Sequence, residues 1–166
     1  MPAGSTYTPI ATTTLGSAAS SYTFSSIPST YTDLVLILST KTSSNAAGVS
    51  VRFNGDTGSN YSWTEISGNG SAASSARGSN TTYIFNCGST SNTDFQTGIM
   101  SFNNYSNTTT YKTALSRGMD TTNGYVQAHV GTWRNTAAIT SVTVLANSGS
   151  TLASGCTFTL YGIASA

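Results

Sequence analysis

One histidine, five carboxylates and two cysteines hold nearly all the acid–base and metal-binding chemistry open to this 166-residue chain. The histidine, His129, lies within Tyr125-Val126-Gln127-Ala128-His129-Val130-Gly131-Thr132-Trp133. Successive side chains of a strand point to opposite faces, so with Val126, Ala128 and Val130 directed inward, His129 points outward beside Tyr125, Gln127 and Trp133. Such a stripe combines flat aromatic contact with hydrogen-bonding groups and suits a sugar or a partner chain. The plainer reading is ordinary cross-strand packing on a half-exposed sheet. A catalytic histidine needs a nucleophile and an orienting carboxylate, and the local sequence supplies neither.

The carboxylates, Asp33, Asp56, Glu65, Asp94 and Asp120, are spread over loops and strand ends. Glycoside hydrolysis needs two of them to converge across one cleft, and nothing in their spacing singles out a pair. Asn54-Gly55-Asp56-Thr57-Gly58-Ser59-Asn60 alternates oxygen ligands in a way that suits calcium. It lacks the terminal Glu of an EF-hand loop, and a tight hairpin turn accounts for the same residues without an ion. Cys87 and Cys156 are too few for a disulfide framework and are not spaced for zinc. A bond between them is open on sequence grounds. Each alternates onto the same face as large apolar neighbours, which reads as a buried thiol filling the core. Trp63 and Trp133 read equally as binding platforms or as indoles lying under a loop. No catalytic residue, metal or cofactor is expected.

Only 11 residues are charged, whereas Ser and Thr make up about a third of the chain, against about a quarter charged in an ordinary globular domain. Charges on sheet edges normally prevent edge-to-edge association, so either copies and neighbours cover the edges here or hydroxyls must do the solubilising. With a net charge of +1 and six scattered cations (Lys41, Arg52, Arg77, Lys112, Arg117, Arg134), the chain has no basic field to collect phosphates, and nucleic acid is not an expected partner. The longest apolar run, Leu34 to Leu38, is far short of the roughly 20 residues that span a bilayer, so no membrane partner is expected either. Met1 to Ser5 shows neither the basic nor the apolar region of a secretory signal, which predicts synthesis in a cytosol.

These residues must be positioned by strands, because helix formers are rare and β-branched or aromatic residues alternate with small polar ones. The pattern predicts strands at 6–15, 21–27, 33–41, 48–54, 81–87, 95–103, 110–118, 124–134, 139–146 and 156–163. The continuous apolar run 34–38 suits a strand buried on both faces. Val49, Val51 and Phe53 alternate with Ser50 and Arg52, which predicts one wet face. The Gly, Ser and Ala stretch 67–80 reads as a long loop. Ten short strands without helices predict an all-β fold: one antiparallel, jelly-roll-like β-sandwich domain over 1–166, with residues 1–15 an extended N-terminal arm or an edge strand.

Three stretches carry a resemblance that spans nearly the whole chain. They are TYTPIATTTLGSAASSYTFSSIPSTYTDLVLIL, VRFNGDTGSNYS and GTWRNTAAITSVTVLANSGSTLASGCTFTLYGI. The chain resembles a type of small virion protein of tailed bacteriophages, common among cyanophages and marine phages, whose members look like jelly-roll capsid cement or fibre-associated proteins. The resemblance implies a non-enzymatic structural role. The expected protein is a decoration or cement protein on the capsid surface of the virion, made in the host cytoplasm, that bridges major capsid proteins. Symmetric association covers edges with few distinct contacts, so copies of itself, as a homotrimer, are expected partners as well. The alternative is a tail-fibre or receptor-binding domain that reads host glycans through Tyr125, Gln127, His129 and Trp133.

Overall fold

The computed structural model describes residues 6–44, 48–88, 91–120 and 124–164. Among the described residues there are twelve strands and no helix. The strands are β1 (Tyr7–Thr14), β2 (Ser21–Phe24), β3 (Asp33–Thr40), β4 (Val49–Phe53), β5 (Tyr61–Gly68), β6 (Ala73–Thr81), β7 (Ile84–Gly88), β8 (Gln96–Asn103), β9 (Lys112–Asp120), β10 (Tyr125–Trp133), β11 (Val142–Ala146) and β12 (Thr157–Ile163). They form an eight-stranded sheet in the order β1-β12-β3-β8-β9-β10-β5-β6 and a four-stranded sheet in the order β2-β11-β4-β7. Every neighbouring pair is antiparallel. The expected all-β sandwich is therefore present, with eight and four strands where a jelly roll has eight in all.

Alternation builds the core. Leu34, Leu36 and Leu38 of β3 face inward with Phe158 and Leu160 of β12 and with Met100 and Phe102 of β8. Across from them stand Phe24 of β2, Val49, Val51 and Phe53 of β4, and Val142 and Val144 of β11. Phe53 is the hub, packing edge-on to Phe102 at 5.2 Å and tilted against Trp133 at 5.6 Å. Each such fully buried side chain contributes about 1.5–3 kcal/mol. Cys156 belongs to this core as expected, and burial raises its thiol pKa. The Cys87 side chain lies outside the described residues.

The tight Asn54-Gly55 turn forms, with both residues at positive φ (52° and 67°) and the Asp56 N–H donating to the Phe53 carbonyl at 2.9 Å. It closes no hairpin, contrary to expectation, because the chain crosses there from β4 in the four-stranded sheet to β5 in the eight-stranded one. Asn54 also ties this turn to the segment before β11. Its Nδ2 donates to the Ala138 carbonyl at 2.7 Å, and its Oδ1 accepts from the backbone N–H groups of Thr140 and Ser141.

Three further expectations are corrected. The stretch 67–80 is the turn and second strand of a hairpin, not a loop. Asn69 Oδ1 accepts the N–H groups of Ser71 and Ala72, Gly70 takes φ 83°, and β6 then pairs with β5. Its Ser, Ala and Gly residues have little strand propensity, so β5 supplies the order. β3 is not buried on both faces, because Ile37 stands exposed on the outer side. β4 lacks a fully wet face, since Ser50 is buried and accepts a hydrogen bond from Asn147 Nδ2.

Candidate functional site

Strand β10 pairs with β9 on one side and β5 on the other, and this register fixes which face each side chain takes. Trp133 is 1% exposed, stacks on Tyr61 with 16° between the rings, and donates its indole N–H to Asp56 Oδ2 at 2.7 Å. Gly131 lies on the same side, against the second sheet; a Cβ there would come within 2.3 Å of the Ile84 side chain of β7. His129 follows, 3% exposed, with Trp63 beside it and its Nδ1 3.8 Å from Glu65 Oε2. Gln127 Nε2 donates to the other oxygen of Glu65 at 3.4 Å. The stripe Tyr125, Gln127, His129 and Trp133 thus exists, but it faces inward, and Val126, Ala128 and Val130 face out. The sequence expectation had the two faces exchanged.

The titratable groups on the inner side do structural work. Burial alone would raise the Asp56 pKa, but hydrogen bonds from Trp133, Asn60 and the Gly58 N–H outweigh it and hold the carboxyl below its ordinary value. With its oxygens engaged by three donors, Asp56 organises the turn. Among the described residues, no group of three or more His, Cys, Asp or Glu side chains could hold a metal. Burial lowers the His129 pKa, with the Glu65 charge opposing the shift, so the imidazole is neutral near pH 7. Among the described residues, neither of its ring nitrogens nor the Trp63 indole N–H has a hydrogen-bond partner. Trp63 packs partly buried against Phe85 and Gly78 and is not an open platform. Lys112 is buried too, its ammonium donating to the carbonyls of Thr110 and Thr136, and burial lowers its pKa.

The open apolar surface among the described residues is the outer face of the eight-stranded sheet. Of the nine exposed large apolar side chains among the described residues, seven stand there: Tyr7, Ile37, Ile66, Leu115, Met119, Val126 and Val130, between 37% and 64% exposed. Cross-strand register aligns them in rows. One row runs Ile37, Ile99, Arg117, Ala128, Ile66, and the next Val35, Ser101, Leu115, Val130, Thr64. They line a shallow groove of about 600 Å³ and an adjoining one of about 550 Å³ that shares Ile99 and Arg117. Strand spacing of about 4.8 Å and a rise of about 3.4 Å per residue give the two rows, five strands wide, about 330 Å². The largest apolar patch of a free protein is of this order and is often functional. Arg117 puts a single cation at the centre, and Tyr7 meets Tyr161 edge-on at 6.0 Å on the rim.

Sequence reasoning named Val126, Ala128 and Val130 but placed them in the core. Their real signal is the row they form with residues of β3, β8, β9 and β5, which only strand order discloses. No protein-family model matches the chain, and no curated protein matches it in sequence.

Proposed function

We propose that this chain is a non-enzymatic structural protein of a bacteriophage virion. In this reading it is a decoration or cement protein of the jelly-roll-like type, seated on the capsid surface, where it bridges major capsid proteins. The open apolar face of the large sheet carries the proposal. A rigid sheet backed by a full core presents Ile37, Leu115, Val126, Val130 and Ile66 without their having to be ordered on binding, which keeps the entropic cost of docking low. Arg117 at the centre offers up to five donors to carbonyl or carboxylate groups of the shell. The charge-poor composition supports the same reading, since a chain lodged in an assembly does not rely on charges to keep copies apart.

Labelling of intact virions tests the proposal: a cement protein decorates the head in hundreds of copies, and unlabelled heads overturn it. Attachment by apolar contact also predicts little release between low and high salt, because screening acts on charge pairs. Ready release at high salt contradicts the proposed contact.

One observation favours a second reading, a glycan-binding tail domain. The Tyr7–Tyr161 pair on the rim of the groove is an aromatic edge of the kind sugars stack on. Labelling confined to the tail would select it.

A further inference from the structure

The eight-stranded sheet ends in two edges of unlike character. On β1, Pro9 has no N–H to offer, and a register shift between Pro9 and Ala11 interrupts the ladder with β12. Both features blunt an edge against further pairing. The other edge, β6, has nine residues, Ala-Ser-Ser-Ala-Arg-Gly-Ser-Asn-Thr, with no Pro or Lys. Side chains Ala73 to Arg77 are exposed whichever face they take, so among the described residues no other element covers the strand there. The register shift in its pairing with β5 falls at the far end, between Tyr61 and Ser62, and leaves 73–79 regular. Along those residues every second N–H and C=O points away from β5. A long, flat edge with small side chains on both faces is a ready template for another strand.

We propose that β6 is a self-association edge, through which two copies of this chain pair antiparallel about a two-fold axis at Ala76. This register sets Ala73 opposite Ser79 of the second copy, Ser74 opposite Gly78, Ser75 opposite Arg77, and Ala76 opposite its own counterpart. Apart from Arg77, which meets Ser75, the side chains facing each other across residues 73–79 are all Ala, Ser or Gly. The single cation favours this register: centring on Arg77 would set two guanidinium groups directly opposite, whereas centring on Ala76 gives each a serine hydroxyl to meet. The occupant is a second copy because a two-fold contact needs only one open edge. A threefold ring joined through this sheet would need β6 to pair with β1, which Pro9 and the register shift obstruct. The pairing therefore replaces the homotrimer expected from composition with a dimer. Its axis runs perpendicular to the sheet, so the outer apolar faces of both copies lie on one side and form a continuous platform. The inference holds whether or not that platform meets a capsid.

The test is light scattering of the full chain during size exclusion, over a concentration series, with two exposed substitutions of opposite sign. The wild-type chain is expected to be dimeric at micromolar concentration. Ser75→Glu, facing Arg77 of the second copy twice over, should tighten the dimer about tenfold, and Ser75→Lys should weaken it about tenfold. Ala76→Cys, which brings two thiols together at the axis, should give a cross-linked dimer on a non-reducing gel beyond any wild-type background. A monomeric wild-type chain, equal shifts from the two Ser75 variants, or an Ala76→Cys variant that does not cross-link would each overturn the proposal. Because misfolding would move both Ser75 variants the same way, opposite shifts report the edge itself.

Discussion

Strand β10 has two faces, and they show how little residue type says about position in a charge-poor sandwich. Toward the second sheet it presents Gln127, His129, Gly131 and Trp133; toward the outside it presents Val126, Ala128 and Val130. The polar and aromatic set is the buried one, because each member has something specific to meet: Asp56 for Trp133, Ile84 for Gly131, Glu65 for Gln127 and His129. The aliphatic set has no such partner within the described chain and is left for contacts elsewhere. A buried polar side chain with a defined neighbour and an exposed apolar row are both more informative than hydrophobicity itself.

The contrast can be broken from the inside first. Trp133→Ala should cost about 3–5 kcal/mol in urea unfolding, since it empties a large core volume and strands the Asp56 carboxylate. A cost below about 1 kcal/mol would show that Trp133 does not anchor that face. Gly131→Ala drives a methyl group into Ile84 and should cost about 1–3 kcal/mol by overpacking, read from the same curves. A neutral result would mean that β7 yields easily over β10.

Acidity probes the inner face more gently. The His129 pKa is lowered from its unfolded value of 6.5, so His129 supports stability fully above that value and progressively less as pH falls below it, the unfolded chain binding the extra proton. The melting temperature should therefore drop between pH 7.5 and 5.5, and His129→Gln should flatten the profile over that range. The Asp56 contribution is lost separately, only as pH falls below its ordinary 3.8. A profile unchanged by His129→Gln would remove the imidazole from the account.

The smallest stability effect belongs to the outer face. Val126→Ser combined with Ile66→Ser should move the unfolding free energy by about 0.5 kcal/mol or less per site, because both side chains are already in water. The same pair should abolish binding to heads in a reattachment assay. Retained attachment would detach the apolar rows from docking.

Much of the fold was legible in the sequence. Alternation located ten of the twelve strands, from β1 through β12, and the Asn54-Gly55 dipeptide marked a tight turn, although the strands it joins go to different sheets. Of the missing two, β6 lies where Ser, Gly and Ala mimic a loop and is a strand only because β5 is beside it, whereas β5 carries the alternation Tyr61, Trp63, Glu65 in plain view between the Asn54–Asn60 turn and that stretch. The site was harder to read because facing is decided by sheet order. Val126 and Val130 look like core until Leu115 and Ile66 are seen on the same side, and those neighbours come from β9 and β5.

The hold on Asn54 bears on how the chain ages. Asn-Gly is the dipeptide most prone to spontaneous deamidation, in which the following backbone nitrogen attacks the carboxamide carbon and closes a succinimide. Here the carboxamide is fixed by donation to Ala138 and by acceptance from Thr140 and Ser141, and reaching the Gly55 nitrogen means breaking all three bonds at once. The turn that leads from β4 in the small sheet to β5 in the large one is thereby shielded from its own chemical clock.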